Sequence, residues 1–195
     1  MMQQERPSRR EFLKSSAAMA TALPLVHVTG SDVIKVGMIG CGGRCTGAAD
    51  QALRSGPDVR LVAMCDIFQE RLDDKLRWLR SQKKDQVDVN DDHKFVGFDG
   101  YQKVIDSADV VLIACASKFH PRYAKAAIEA GKHVFVEKPH GIDPAGCKET
   151  AAACELAKEK KLSLLSGLQW RHNPGVPETV QRIQHPTPGQ GDTRW

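Results

Sequence analysis

The sequence has no cysteine pair at CxxC spacing, no internal repeat, no basic cluster beyond position 14 and almost no excess of either charge. Each absence closes a class of function. The six cysteines, at 41, 45, 65, 115, 147 and 154, have neither zinc-ligand spacing nor the regular pairing of a disulfide framework. Three of them fall in or beside apolar runs, as small buried hydrophobes do. The 28 Lys and Arg against 24 Asp and Glu leave a net charge of +4, which gives no support to nucleic-acid or membrane-surface binding. What is present is enough apolar material for a core: 41% hydrophobic against 27% charged residues in a chain of 195. That length suits one domain, or one domain and the opening of a second.

The first 30 residues read as an address. Ser8 to Lys14 spell SRREFLK, and a mildly apolar run follows from Ser15 to Val26. That run is short and rich in Ala and Ser, whereas a membrane span needs roughly 20 apolar residues, so no stable membrane anchor is expected. The stretch resembles a twin-arginine export signal, which implies the twin-arginine translocase as a partner and a periplasmic, exported destination. Cargo of that route travels folded, which suits a protein that takes up a cofactor before leaving the cytoplasm.

From Val33 onward, strand-length apolar runs alternate with amphipathic helical stretches, the pattern of an α/β fold with a doubly wound parallel sheet. Strands are expected at 33–39, 59–65, 110–115, 133–137 and 162–168, and helices at 44–54, 69–82, 121–130 and 144–160. Leu72, Leu76 and Leu79 give the second helix one apolar face. Gly131 stands where a left-handed cap would end the third. Lys83 to His93, with Asp85, Asp88, Asp91 and Asp92, is expected to be a solvated loop, because it lacks the glycine and terminal glutamate of a calcium loop. No metal ligand set is assigned.

The strongest chemical signal is Gly40-Cys41-Gly42-Gly43-Arg44-Cys45, directly after the strand ending Met38-Ile39. Gly40 allows a tight strand-to-helix turn, and Gly42 lets the backbone approach a diphosphate. The helix beginning near Gly43 and Arg44 offers unpaired amides and the positive end of its dipole. The third glycine of GxGxxG is replaced by Cys45, small enough to predict a slight shift in helix–strand packing. Asp66 ends the second strand about 20 residues on, where a carboxylate accepts from ribose hydroxyls. NAD is favoured over NADP, since Asp66 would repel a 2′-phosphate and Ile67 supplies no cation, although Arg71 stands nearby.

A second motif, Ala130-Gly131-Lys132-His133-Val134-Phe135-Val136-Glu137-Lys138-Pro139, ends a buried strand in three functional residues. With the glycine turn in register, these residues resemble the Gfo/Idh/MocA family of nicotinamide-dependent oxidoreductases, from about Ile34 to Arg171. The resemblance implies a Rossmann-like NAD-binding domain followed by an α/β domain that carries a sugar or polyol substrate. It implies that Lys138 lies beside the nicotinamide and helps remove the hydroxyl proton, and that Glu137 helps hold the nicotinamide side. A lysine desolvated beside a cationic ring has its ammonium form disfavoured, which suits a base. Pro139 is expected to fix the turn that aims Lys138, through a cis bond. Ala116 to Pro121 match the family only in part: Ser117 is a candidate cofactor contact, and His120 either touches the cofactor or caps a helix. The resemblance places Trp170 and Arg171 against the nicotinamide half.

Residues 31–174 are therefore assigned to dinucleotide binding and 175–195 to the start of a truncated second domain or a disordered tail. Family members usually run well beyond 300 residues, so the second domain is essentially missing and the chain alone is expected to be inactive. The resemblance implies hydride transfer between a sugar or polyol hydroxyl and nicotinamide. The alternatives are an N-acetylgalactosaminidase-like, NAD-dependent glycoside hydrolase working through transient oxidation, and a non-catalytic nucleotide-binding fragment. A homo-oligomer of the full-length protein stays open.

Overall fold

Every described strand runs in the same direction, which forces a helical crossover between successive strands and puts helices on both faces of the sheet. The computed structural model describes residues 33–184; residues 1–32, with the expected export signal, and residues 185–195 lie outside it. The chain divides into two units, Met1–Ser31 and Asp32–Trp195, and the described residues all belong to the second. Six parallel strands, β1 (Ile34–Ile39), β2 (Val59–Asp66), β3 (Lys94–Val96), β4 (Val110–Ile113), β5 (His133–Val136) and β6 (Leu164–Ser166), stand in the order β3-β2-β1-β4-β5-β6. The order reverses at β1, so the crevice between the carboxyl ends of β1 and β4 is where such sheets collect ligands.

The helices are α1 (Gly43–Leu53), α2 (Gln69–Lys83), α3 (Gly100–Ser107), α4 (His120–Glu129), α5 (Pro144–Glu159) and α6 (Gly175–Gln184). Alternation along the strands splits the core in two. Val36 and Met38 pack with Ala48, Ala49 and Leu53 of α1 and with Leu72, Leu76 and Leu79 of α2. On the other face, Ile39, Val111, Ile113, Val134 and Val136 pack with Val104 and Ile105 of α3 and with Ala124, Ala127 and Ile128 of α4. The three α2 leucines expected on one face are all buried, at about 2 kcal/mol each. Gly131 has φ +76°, the left-handed cap the sequence called for. Asp143 starts α5 by accepting from the Gly146 amide at 2.6 Å.

Five strands and four helices match the sequence expectation to within two residues at most ends; β3, α3 and α6 were not foreseen. Strand β3 is three residues long beside an acidic turn, and its Lys94 pairs with Asp91 at 2.7 Å and Asp73 at 3.3 Å. The segment expected to be a solvated loop is only partly so. Its aspartates are exposed, but Val87 and Val89 are buried, and Val87 bridges to Leu61 of β2. Helix α6 occupies residues 175–184, within the segment assigned to the start of a second domain or a tail, and buries none of its residues. No described helix is long and apolar enough to cross a membrane.

Candidate functional site

The glycine turn follows from one close contact. Gly40 has φ +93°, and a Cβ there would stand 2.9 Å from the Cα and Cβ of Cys115 at the end of β4. Only glycine meets both conditions without strain. The Gly40 amide donates to the Cys65 carbonyl at 2.8 Å, tying the turn to β2. Gly42 is the N-cap of α1 and has no side chain to satisfy the first-turn amides. A Cβ on Gly42 or Gly43 would meet nothing within 4 Å, so this helix end opens onto free space, as an anion site requires. Cys45, in place of the third glycine, is fully buried and directs its thiol at the carbonyls of Ile39 and Leu112, 3.6 and 3.7 Å away. Its sulfur lies between the ends of β1 and β4.

Four thiols, Cys41, Cys45, Cys65 and Cys115, surround the turn. Burial pushes Cys65 up to about 12 and Cys115 up to about 11, and raises Cys41 and Cys45 as well. All four are uncharged at neutral pH and do not oppose a diphosphate. The six described cysteines are free thiols, as their spacing indicates.

On one side of the turn lies a cleft of about 370 Å³. Asp66 stands at its edge, with Oδ2 accepting from the Cys41 amide at 2.6 Å and Oδ1 from the Phe68 amide at 3.0 Å. The carboxylate therefore positions the glycine turn itself, and each oxygen keeps a further lone pair for a ligand hydroxyl. Aromatic rings form the opposite wall. Tyr101 stacks on Tyr123 at 4.1 Å, Tyr123 on Phe119 at 5.4 Å, and Phe98 tilts against Phe119 at 5.9 Å. Burial raises the Tyr123 hydroxyl to about 12. Arg71 lies over the Phe68 ring at 5.0 Å. Sequence reasoning missed this wall; only the i, i+4 spacing of Phe119 and Tyr123 hinted at it.

On the other side lies a wider cleft of about 1040 Å³, which brings together Arg44, Ser117, His120, Glu137, Lys138, Trp170 and Arg171. The two clefts share Ala114 and Cys115, so all the expected site residues except Gly43, which lines neither, border one continuous edge of the sheet. Glu137 is buried, and its Oε1 accepts from Arg44 Nε at 2.6 Å. Arg44 is thus committed to a carboxylate 93 residues away, while its side chain stays 48% exposed. Gly167 packs over this carboxylate so closely that a Cβ there would collide with it. Lys138 is exposed on the cleft wall, and the Lys138–Pro139 bond is cis, as expected. Ser117 begins a short 3-10 turn at the cleft wall. His120 does not cap the helix: Phe119 is the N-cap of α4, and both His120 ring nitrogens face main-chain carbonyls where the residue borders the wide cleft. Trp170 and Arg171 sit in the Gln169–His172 turn, with Trp170 76% exposed.

Known proteins resemble the chain over this region. The profile of the oxidoreductase family with an NAD-binding Rossmann fold matches residues 34–166. A glycosyl hydrolase family 109 protein of Solibacter usitatus is 26% identical over 178 residues, covering 82% of this chain and 39% of its own length. Myo-inositol 2-dehydrogenase of Lactobacillus plantarum superposes with a TM-score of 0.62 at 23% identity, over 78% of this chain and 41% of that one. The WlbA dehydrogenase of Bordetella pertussis, solved with NADH and UDP-GlcNAcA, superposes with a TM-score of 0.58 at 25% identity, over 78% of this chain and 40% of that one. The chain thus spans about two fifths of the length of these relatives.

Proposed function

Because the chain belongs to the Gfo/Idh/MocA family of oxidoreductases with an NAD-binding Rossmann fold, we propose that it binds NAD along the carboxyl edge of its sheet and serves hydride transfer from a sugar or polyol hydroxyl. The reading rests on one observation: a single glycine turn separates a cleft edged by Asp66 from a cleft edged by Glu137 and Lys138. In this reading the amides from Gly42 to Arg44 hold the diphosphate, and Asp66 accepts from the adenosine ribose. Ser117, Glu137, Trp170 and Arg171 border the nicotinamide side. The bound cofactor would supply the hydride acceptor. Lys138 takes the hydroxyl proton as the carbon gives up its hydride. NAD is preferred to NADP because the Asp66 carboxylate repels a 2′-phosphate.

A second reading is favoured by the name the curated relatives carry. There, oxidation of the sugar is transient, the glycosidic bond is eliminated, and the hydride returns within each cycle. On the strength of the SRREFLK stretch we also propose export to the periplasm through the twin-arginine route.

Titration of the 195-residue chain with NAD and NADP by calorimetry tests the binding site. NAD is expected to bind more tightly, and Asp66→Ala to weaken it by roughly thirtyfold, the equivalent of about 2 kcal/mol. No heat with either nucleotide overturns the assignment. Parallel assays separate the chemistries: NADH accumulating with a polyol supports dehydrogenation. Nitrophenol released from a nitrophenyl N-acetylgalactosaminide without added NAD supports the glycosidase, and binding without turnover marks a nucleotide-binding module.

A further inference from the structure

His120 is the first residue of α4, and its side chain is among the most deeply buried polar groups, 2% exposed. Its Nδ1 lies 2.9 Å from the carbonyl oxygen of Pro139, and its Nε2 lies 3.2 Å from that of Cys115. Cys115 stands just past the end of β4 and Pro139 just past the end of β5. One imidazole therefore spans the two strand ends that frame the wide cleft. A carbonyl oxygen only accepts, so the ring nitrogen at the shorter contact, Nδ1, is assigned the N–H that donates to Pro139.

The segment that carries Lys138 has few other ties. Pro139 has no amide hydrogen, and the Lys138 amide reaches only Glu137 Oε2, at 3.3 Å. The next residue is held separately: Thr150 Oγ1 donates to the His140 carbonyl at 2.5 Å, and His140 Nε2 meets Ser166 Oγ at 2.5 Å. Loss of the His120 contact would thus free Lys138 and Pro139 while His140 stays anchored.

We propose that His120 is a positioning residue: its Nδ1–H holds the Pro139 carbonyl and thereby sets where Lys138 and the end of β5 stand at the nicotinamide side of the wide cleft. The ring does not touch the dinucleotide. This inference rests on the dinucleotide reading above, and its consequence is asymmetric. The nicotinamide end of the ligand depends on His120, whereas the adenosine and diphosphate end, served by Asp66 and the glycine turn, does not.

The test uses the full chain with two probes, NADH and ADP-ribose, which differ by the dihydronicotinamide. His120→Asn places an amide donor where Nδ1 stands, His120→Gln places it where Nε2 stands, and His120→Ala removes both. His120→Ala and His120→Gln are expected to weaken NADH by roughly tenfold and to abolish the rise in NADH fluorescence on binding, with ADP-ribose affinity unchanged. His120→Asn is expected to restore both NADH readouts. Equal losses for the two probes would reduce His120 to general structural support and overturn the proposal, as would unchanged NADH binding in His120→Ala. If His120→Ala does not fold, the Asn and Gln variants decide, and equal NADH behaviour in those two overturns it. A wild-type chain that binds neither probe overturns the dinucleotide reading itself, a result distinct from any of these.

Discussion

The two clefts are built from different materials. The smaller is walled by rings stacked on one another and by a carboxylate whose oxygens already grip two backbone amides. The larger is walled by long side chains on short turns and by a helix that buries nothing, and it exposes Trp170 and Val180. Its firmly held elements are the ion pair of half-exposed Arg44 with buried Glu137 and the buried His120 ring. On the proposed reading, the contrast separates recognition from reaction. A flat, invariant nucleotide end suits a preformed slot, whereas a substrate-bearing end suits a wide, adjustable wall.

The contrast breaks first at the shared hinge. Gly40→Ala puts a methyl group against the Cys115 backbone at positive φ and is expected to cost about 3 kcal/mol. Both clefts should fail together, seen as a drop in melting temperature and loss of NAD and AMP binding. Alkali should act next, chiefly on the small-cleft side. Burial raises Cys65 and Tyr123 to about 12 and Cys115 to about 11, above unfolded values of about 8.5 for Cys and 10 for Tyr. The unfolded chain then releases these protons first. Their stabilising contribution is complete below about pH 8.5 and is lost as pH climbs toward 12, by about 2 kcal/mol for each of the two cysteines at pH 10 and less for Tyr123. Denaturant melts across pH 8 to 11 would show it, and at pH 8 an alkylating reagent should label exposed Cys147 before Cys65 or Cys115.

Glu137→Gln sharpens the comparison. Arg44 can rehydrate, so the stability cost should be only about 1 kcal/mol, with NADH affinity lowered and AMP affinity intact. Smallest of all, Trp170→Ala should change stability by less than about 0.5 kcal/mol, given its exposure, and should weaken NADH but not AMP.

The small cleft's backbone was readable in the sequence because its signals are local or fixed by strand register. Gly40 and Gly42 sit two residues apart, and Asp66 closes the neighbouring strand. Lys138 and Glu137 were readable only through a family motif, since a strand-end lysine has no periodicity to mark it. The ring wall was hidden because Phe98, Tyr101, Phe119 and Tyr123 come from separate segments that meet only once α3 and α4 dock. The Arg44–Glu137 pair was hidden for the same reason, and so was the partnership of His120 with Pro139. Strand β3 escaped notice because three residues beside charged neighbours carry too little pattern.

The separation of 93 positions between Arg44 and Glu137 has a bearing on biosynthesis. As the polypeptide leaves the ribosome, Asp66 can clasp the Cys41 amide after only 25 positions, whereas Arg44 waits unmatched for its acid until β5 emerges. The Asp66–Cys41 contact can thus form before the Arg44–Glu137 pair, and a nascent product ending before β5 would carry Arg44 without its acid.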